Sequence, residues 1–99
     1  MKIIDILNSK EVTLSFEVFP PKKQDDFETV SSAAKELVSL HPDFISITYG
    51  AGGSTQGNTA DIAAVIEQND TAALAHLTCV RLTKAQLDQN IADFKAHGI

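Results

Sequence analysis

The sequence predicts an α/β fold with a parallel sheet: the first three βα units of a (β/α)8 barrel of the TIM type, cut off where a fourth strand would start. Three observations predict it. Strand-like and helix-like patterns alternate strictly along the 99 residues, with short connections and no linker. Each strand segment has one wholly apolar face and one that carries polar groups near its C-terminal end. Those polar groups recur at roughly 30 residues, about the length of one βα unit.

The elements follow in order. A short opening segment around Ile3, Ile6 and Leu7 reads as a helical turn. Residues 13–19 alternate and are rich in β-formers, which gives a first strand. Pro20-Pro21 stops it, because proline has no N–H for a ladder and keeps the preceding residue extended. From Asp25 onward, Phe27, Val30, Ala34, Leu37 and Val38 fall at helical spacing to about Leu40, where His41-Pro42 ends the helix. Residues 44–49 form a second strand, followed by Gly50-Ala51-Gly52-Gly53. A shorter helix carries Ile62, Ala63 and Ile66 and closes at Gln68-Asn69-Asp70; residues 72–78 form the third strand.

The last helix is the best marked. Thr83 and Gln86 have the spacing of a capping box, and Leu82 and Leu87 that of a hydrophobic staple. Leu87, Ile91 and Phe94 are predicted to form its buried stripe. Gly98 stands where a helix-ending glycine belongs, and Ile99 would open a fourth strand.

Composition narrows the function classes. Hydrophobic residues at 43% and charged residues at 21% are the balance of a globular domain, not of a disordered chain. The net charge is −5 and no Lys/Arg cluster occurs, so the electrostatic footprint of a nucleic-acid binder is missing. The single cysteine, Cys79, makes neither an intrachain disulfide nor a zinc cage, and is expected to be a small buried hydrophobe. The opening Met1-Lys2-Ile3-Ile4-Asp5 is too short and too early interrupted by charge for a signal peptide. No run approaches the ~18 apolar residues of a spanning helix. A cytoplasmic location, away from membranes, is the expectation.

Strand parity points toward the barrel. Leu14, Phe16 and Val18 oppose Ser15, Glu17 and Phe19; Ile45 and Ile47 oppose Ser46 and Thr48; Ala73, Ala75 and Leu77 oppose Leu74, His76 and Thr78. Parallel strands joined by helices are normally covered on both faces, so a polar face needs a reason. In a barrel the apolar face meets the helices and the polar one lines the lumen, with functional groups at the C-terminal mouth. A doubly wound open sheet is the alternative.

Three places on this frame could carry chemistry. Glu17, flanked by Phe16, Val18 and Phe19, is predicted to be poorly hydrated, which favours the protonated carboxyl a general acid needs near neutrality. Its plainer role is a structural salt bridge across the lumen. His76 could be an acid–base group, a cofactor contact or a hydrogen-bonded core histidine, and the residue by itself favours the last. The segment Gly50-Ala51-Gly52-Gly53-Ser54-Thr55 follows a strand and precedes a helix, where backbone amides can meet an anion or a flat cofactor. It lacks the lysine of a P-loop and the third glycine of a dinucleotide fingerprint, so a turn needing positive φ explains it as well.

Together, Ser15-Phe16-Glu17-Val18-Phe19-Pro20-Pro21-Lys22, Ser46-Ile47-Thr48-Tyr49-Gly50-Ala51-Gly52-Gly53-Ser54-Thr55 and His76-Leu77-Thr78-Cys79 resemble the methylenetetrahydrofolate reductase family of flavin-dependent (β/α)8 barrels. The resemblance implies residues 1–99 as the N-terminal part of a single catalytic barrel domain. It implies an oxidoreductase of folate one-carbon metabolism, in which NADH or NADPH passes hydride to FAD and FAD passes it to 5,10-methylenetetrahydrofolate, giving 5-methyltetrahydrofolate. By the same matching, Glu17 is the general acid that opens the folate's five-membered ring. Thr48 lies near the nicotinamide, and Tyr49, Ala51 and His76 contact FAD. The family's later Arg-Gly-Asp flavin segment would fall beyond Ile99, so the chain by itself is expected to be inactive. An inactive piece without cofactor, or one half of a split enzyme, are the alternatives; a homo-oligomer of the complete protein is compatible with the family.

Overall fold

A computed structural model describes residues 2–21, 26–49 and 56–99, with backbone only for Gln56 and Gly57. The elements run α1 (Ile3–Ser9), β1 (Ser15–Val18), α2 (Phe27–Val38), β2 (Phe44–Ile47), α3 (Gln56–Gln68), β3 (Ala72–Ala75) and α4 (Lys84–Ala96). The expected alternation is present, and the opening turn is a seven-residue helix. The three strands are parallel in the order β1-β2-β3, with Val18 opposite Ile47 and Ile47 opposite Ala75.

Each strand is shorter than its sequence pattern suggests, because a ladder exists only where all partners are extended together. One further rung continues it: Thr48 N–H donates to Val18 C=O at 3.1 Å, and His76 N–H to Ile47 C=O at 2.9 Å. Beyond that point the chain leaves the sheet.

The apolar strand face is the core, as parity requires. Val18, Ile45, Ile47 and Ala73 are buried against Ala34 of α2 and Ile62, Ala63 and Ile66 of α3. Both crossover helices therefore cover one face, and the opposite face carries Glu17, Ser46 and Leu74. A barrel needs this arrangement, and half of a doubly wound sheet would share it. The helices end as their sequences direct. His41 takes a positive φ of 56° just before Pro42, which stops α2.

The α4 signals are realised at both ends. Thr83 and Gln86 form the reciprocal capping box. At the other end Gly98, at φ 75°, donates to Lys95 C=O while Ile99 N–H donates to Phe94 C=O, the paired bonds of a Schellman ending. The stripe between them is only half covered: Leu87 and Phe94 are half-buried and Ile91 is exposed. The expected buried stripe is thus corrected, because α4 packs mainly on α3 instead of on the sheet.

Near the N-terminal end of the sheet lies α1, whose Ile6 is buried. An ~350 Å³ cavity separates it from Pro42, Asp43 and Ala72 at the strand starts. Here Asp43 ties three pieces together. Its carboxylate pairs with Lys10 and accepts from Leu14 N–H at 2.8 Å, while its own N–H donates to Leu14 C=O at 2.7 Å. The Lys10 ammonium, and then the Leu14 amide, hold the Asp43 carboxyl below its ordinary value of 3.8. A depressed folded value means a stabilisation present above 3.8 and lost as pH falls through the lowered value. The stability of Asp43→Asn, followed by urea unfolding, should therefore fall less steeply in that acid window than the wild type's. Parallel acid limbs would show that the pair contributes nothing.

At the other end of the sheet order, the outward N–H of Ala73 on β3 donates to Glu67 Oε1 at 2.8 Å. Ile99 packs against the core cluster and, with Ala73, lines an ~460 Å³ cavity beside this edge. Among the described residues no helix is long and apolar enough to cross a membrane.

Candidate active site at the C-terminal strand ends

Register brings the polar residues together. Glu17 stands opposite Ser46 on the neighbouring strand, and Ser46 opposite Leu74. His76, two residues beyond Leu74, follows the same parity just past the end of β3. Adjacent strands lie ~4.8 Å apart, so side chains on β1 and β3 meet only by reaching over β2. The small side chain of Ser46 leaves room for this. Its Oγ donates to Glu17 Oε1 at 3.0 Å, and His76 Nε2 lies 3.5 Å from the same oxygen.

Carboxylate, hydroxyl and imidazole thus share one locus at the C-terminal end of the sheet. It is open to solvent: the Glu17 and His76 side chains are 49% and 42% exposed. The expectation of a poorly hydrated Glu17 is not met. Phe16 and Val18 point to the opposite face and cannot shield it, and Phe19, which shares its parity, is 69% exposed. His76 is likewise no core histidine. The arrangement can donate or accept a proton at a surface accessible to a large ligand.

Thr48 is half-buried one residue past β2. Its C=O accepts from Thr59 Oγ1 at 3.1 Å, and Thr59 is fully buried near the start of α3. The neighbouring Asn58 donates to Pro21 C=O at 3.2 Å. The opening of α3 therefore fastens the exits of β1 and β2 to each other. Tyr49 is buried, and Asn90 Nδ2 of α4 donates to its hydroxyl at 3.4 Å, so its side chain is engaged within the protein. Ala51, with the glycine-rich run around it, lies outside the described residues. Cys79 is exposed, contrary to the buried role expected of it, because the strand ends at Ala75 and the thiol falls in the connection to α4.

Sequence reasoning missed Ser46, Asn58 and Thr59 as contributors. Ser46 was legible in principle, since it shares parity with Thr48 and lies one strand over from Glu17. The α3 clamps had no such signal, because their partners are backbone carbonyls distant in sequence. Among the described residues, no group of three or more His, Cys, Asp or Glu could hold a metal ion.

The family model described as methylenetetrahydrofolate reductase matches residues 2–99. The chain is 35% identical over 104 aligned positions to methylenetetrahydrofolate reductase (NADH) 1 of Arabidopsis thaliana, covering all of this chain and 18% of the plant protein. It is 38% identical over 89 residues to 5,10-methylenetetrahydrofolate reductase of Pectobacterium carotovorum subsp. carotovorum, covering 89% of this chain and 30% of that protein. The corresponding enzyme of Escherichia coli K12 is 33% identical over 90 residues, 90% of this chain and 30% of its own length. The chain therefore spans less than a third of these relatives. Across essentially its whole length, it belongs to the methylenetetrahydrofolate reductase family.

Proposed function

We propose that these residues are the N-terminal part of a single (β/α)8 catalytic barrel that reduces 5,10-methylenetetrahydrofolate to 5-methyltetrahydrofolate. FAD is the hydride carrier and NADH or NADPH the donor. The observation that supports this most is the meeting of Glu17, Ser46 and His76 at the C-terminal strand ends, on the face away from the helices. When bound, FAD would supply a two-electron carrier that takes hydride from the nucleotide and gives it to the folate.

The chain's own residues have distinct tasks. Glu17 gives a proton to a ring nitrogen of the folate as its bond to the bridging carbon opens, leaving that carbon an iminium able to accept hydride. His76, exposed beside Glu17, and Thr48, at the adjacent strand exit, are read as the residues that meet a flat ring system at the sheet end. Tyr49 fits a cofactor contact best through its backbone, since its hydroxyl is taken by Asn90. Ala51 completes the proposed set. The plant relative is named for NADH, but the donor here is left as either nucleotide. The complete protein is read as cytoplasmic and compatible with homo-oligomer formation.

The test uses the full-length protein. Under anaerobic conditions NADH or NADPH should bleach the flavin absorbance, and methylenetetrahydrofolate should restore it. Replacement His76→Ala should lower flavin retention on gel filtration while leaving the melting temperature of the flavin-free protein nearly unchanged, because an exposed side chain contributes little packing. Full flavin occupancy with a much earlier melt would instead make His76 structural. Flavin that is reduced but never reoxidised by the folate would remove the proposed reaction.

A further inference from the structure

We propose that Ser46 is a positioning residue for Glu17: its hydroxyl holds Oε1 and so assigns proton donation to Oε2. This rests on the reading of Glu17 as the acid. Both neighbouring polar side chains approach the same carboxylate oxygen, Ser46 Oγ at 3.0 Å as a donor and His76 Nε2 at 3.5 Å. A neutral carboxyl has one oxygen that only accepts and one that carries the hydrogen. The Ser46 hydroxyl donating to Oε1 makes it the accepting oxygen, and the transferable hydrogen then belongs on Oε2.

Ser46 is built for this task. It lies on the central strand, directly opposite Glu17 in register, where the backbone is fixed by ladders on both sides. Its side chain has a single heavy-atom rotor, so little entropy is lost in aiming it. It belongs to the polar face and not to the core cluster. Glu17, by contrast, has a long side chain half open to water and would otherwise sample several rotamers.

The transfer balances as follows. The Oε2–H bond breaks and an N–H bond forms on the folate ring nitrogen. That nitrogen keeps the electron pair of its broken bond to the bridging carbon, and the carbon forms an iminium with the other nitrogen. The negative charge left on Glu17 is met by the Ser46 hydroxyl already at Oε1.

In the full-length protein, Ser46→Ala should slow the folate half-reaction roughly 10- to 100-fold, the scale of one hydrogen bond to a charged acceptor. The flavin half-reaction and the KM for the folate should change little. Ser46→Thr, which keeps the hydroxyl and suits a strand, should recover most of the rate. The decisive arm is the pair of substitutions: on a Glu17→Gln background, Ser46→Ala should cost almost nothing further, because it acts through the lost proton. Equal slowing of both half-reactions, an undiminished additional loss on the Glu17→Gln background, or no recovery with threonine would overturn the proposal. A Glu17→Gln protein with an unimpaired folate step would instead refute the acid assignment itself. Melting curves of the threonine variant keep the result interpretable if the alanine variant unfolds.

Discussion

Glu17→Gln in the full-length protein should lose folate reduction by ~10²–10⁴-fold, the scale of a missing general acid, while flavin reduction by the pyridine nucleotide is nearly spared. Glutamine keeps the side chain's length and can still meet Ser46, but it has no proton to give. In the proposed reaction the ring-opening step needs that proton and hydride transfer to the flavin does not, so the two half-reactions should separate. Because Glu17 is half exposed and outside the core, its replacement should not unfold the sheet. Stopped-flow measurement of each half-reaction checks this. Equal loss in both would mean that Glu17 shapes the cofactor site and is not the acid.

The largest effect on stability is expected at Ile47. It is fully buried on the central strand, opposite both Val18 and Ala75 in register, and packed beneath α2 and α3. Truncation to alanine should cost ~2–5 kcal/mol, against ~0.5–1.5 for Ile47→Val. The cost should fall in the upper part of the range, because much of the surrounding core is alanine: Ala34, Ala63 and Ala73 have no rotamer with which to fill the space. A folded domain has only ~5–15 kcal/mol in all, so in the full-length protein the urea midpoint should drop sharply at an unchanged slope. Leu14→Ala, at a position 49% exposed, provides the contrast and should be nearly neutral. Should the two substitutions shift the midpoint equally, the core as described would be wrong.

What the sequence disclosed and what it hid divide along one physical line. Local signals translated directly: the Thr83–Gln86 box and the Gly98 ending depend on a few neighbouring residues and are both formed. Parity also translated, since the pleat alone decides that Ile45 and Ile47 are buried while Ser46 faces the other way. Errors arose wherever the outcome depended on distant chain. Strand ends are set by partners, so the extended pattern outran the ladder and Cys79 fell outside it. The α4 stripe was drawn for a sheet, yet its neighbour is mainly α3. Glu17 was judged by residues adjacent in sequence, although those adjacent in sequence are the ones a strand points away. The family, in turn, was carried by three short segments whose spacing, not length, made them specific.

The strand order has a consequence for how the molecule is made. Because β1, β2 and β3 lie side by side in the order in which they are synthesised, each can join the sheet as it leaves the ribosome, without waiting for chain yet to come. Contacts between successive units are short in sequence, which keeps the entropy of closing each loop small. At each stage the sheet grows at the border of the newest strand, while the outer side of β1 stays unpaired among the described residues. On β3 the first outward amide of that border is occupied by Glu67, a side chain from the helix made immediately before it. One amide of the growing margin is thereby covered by chain made just before it.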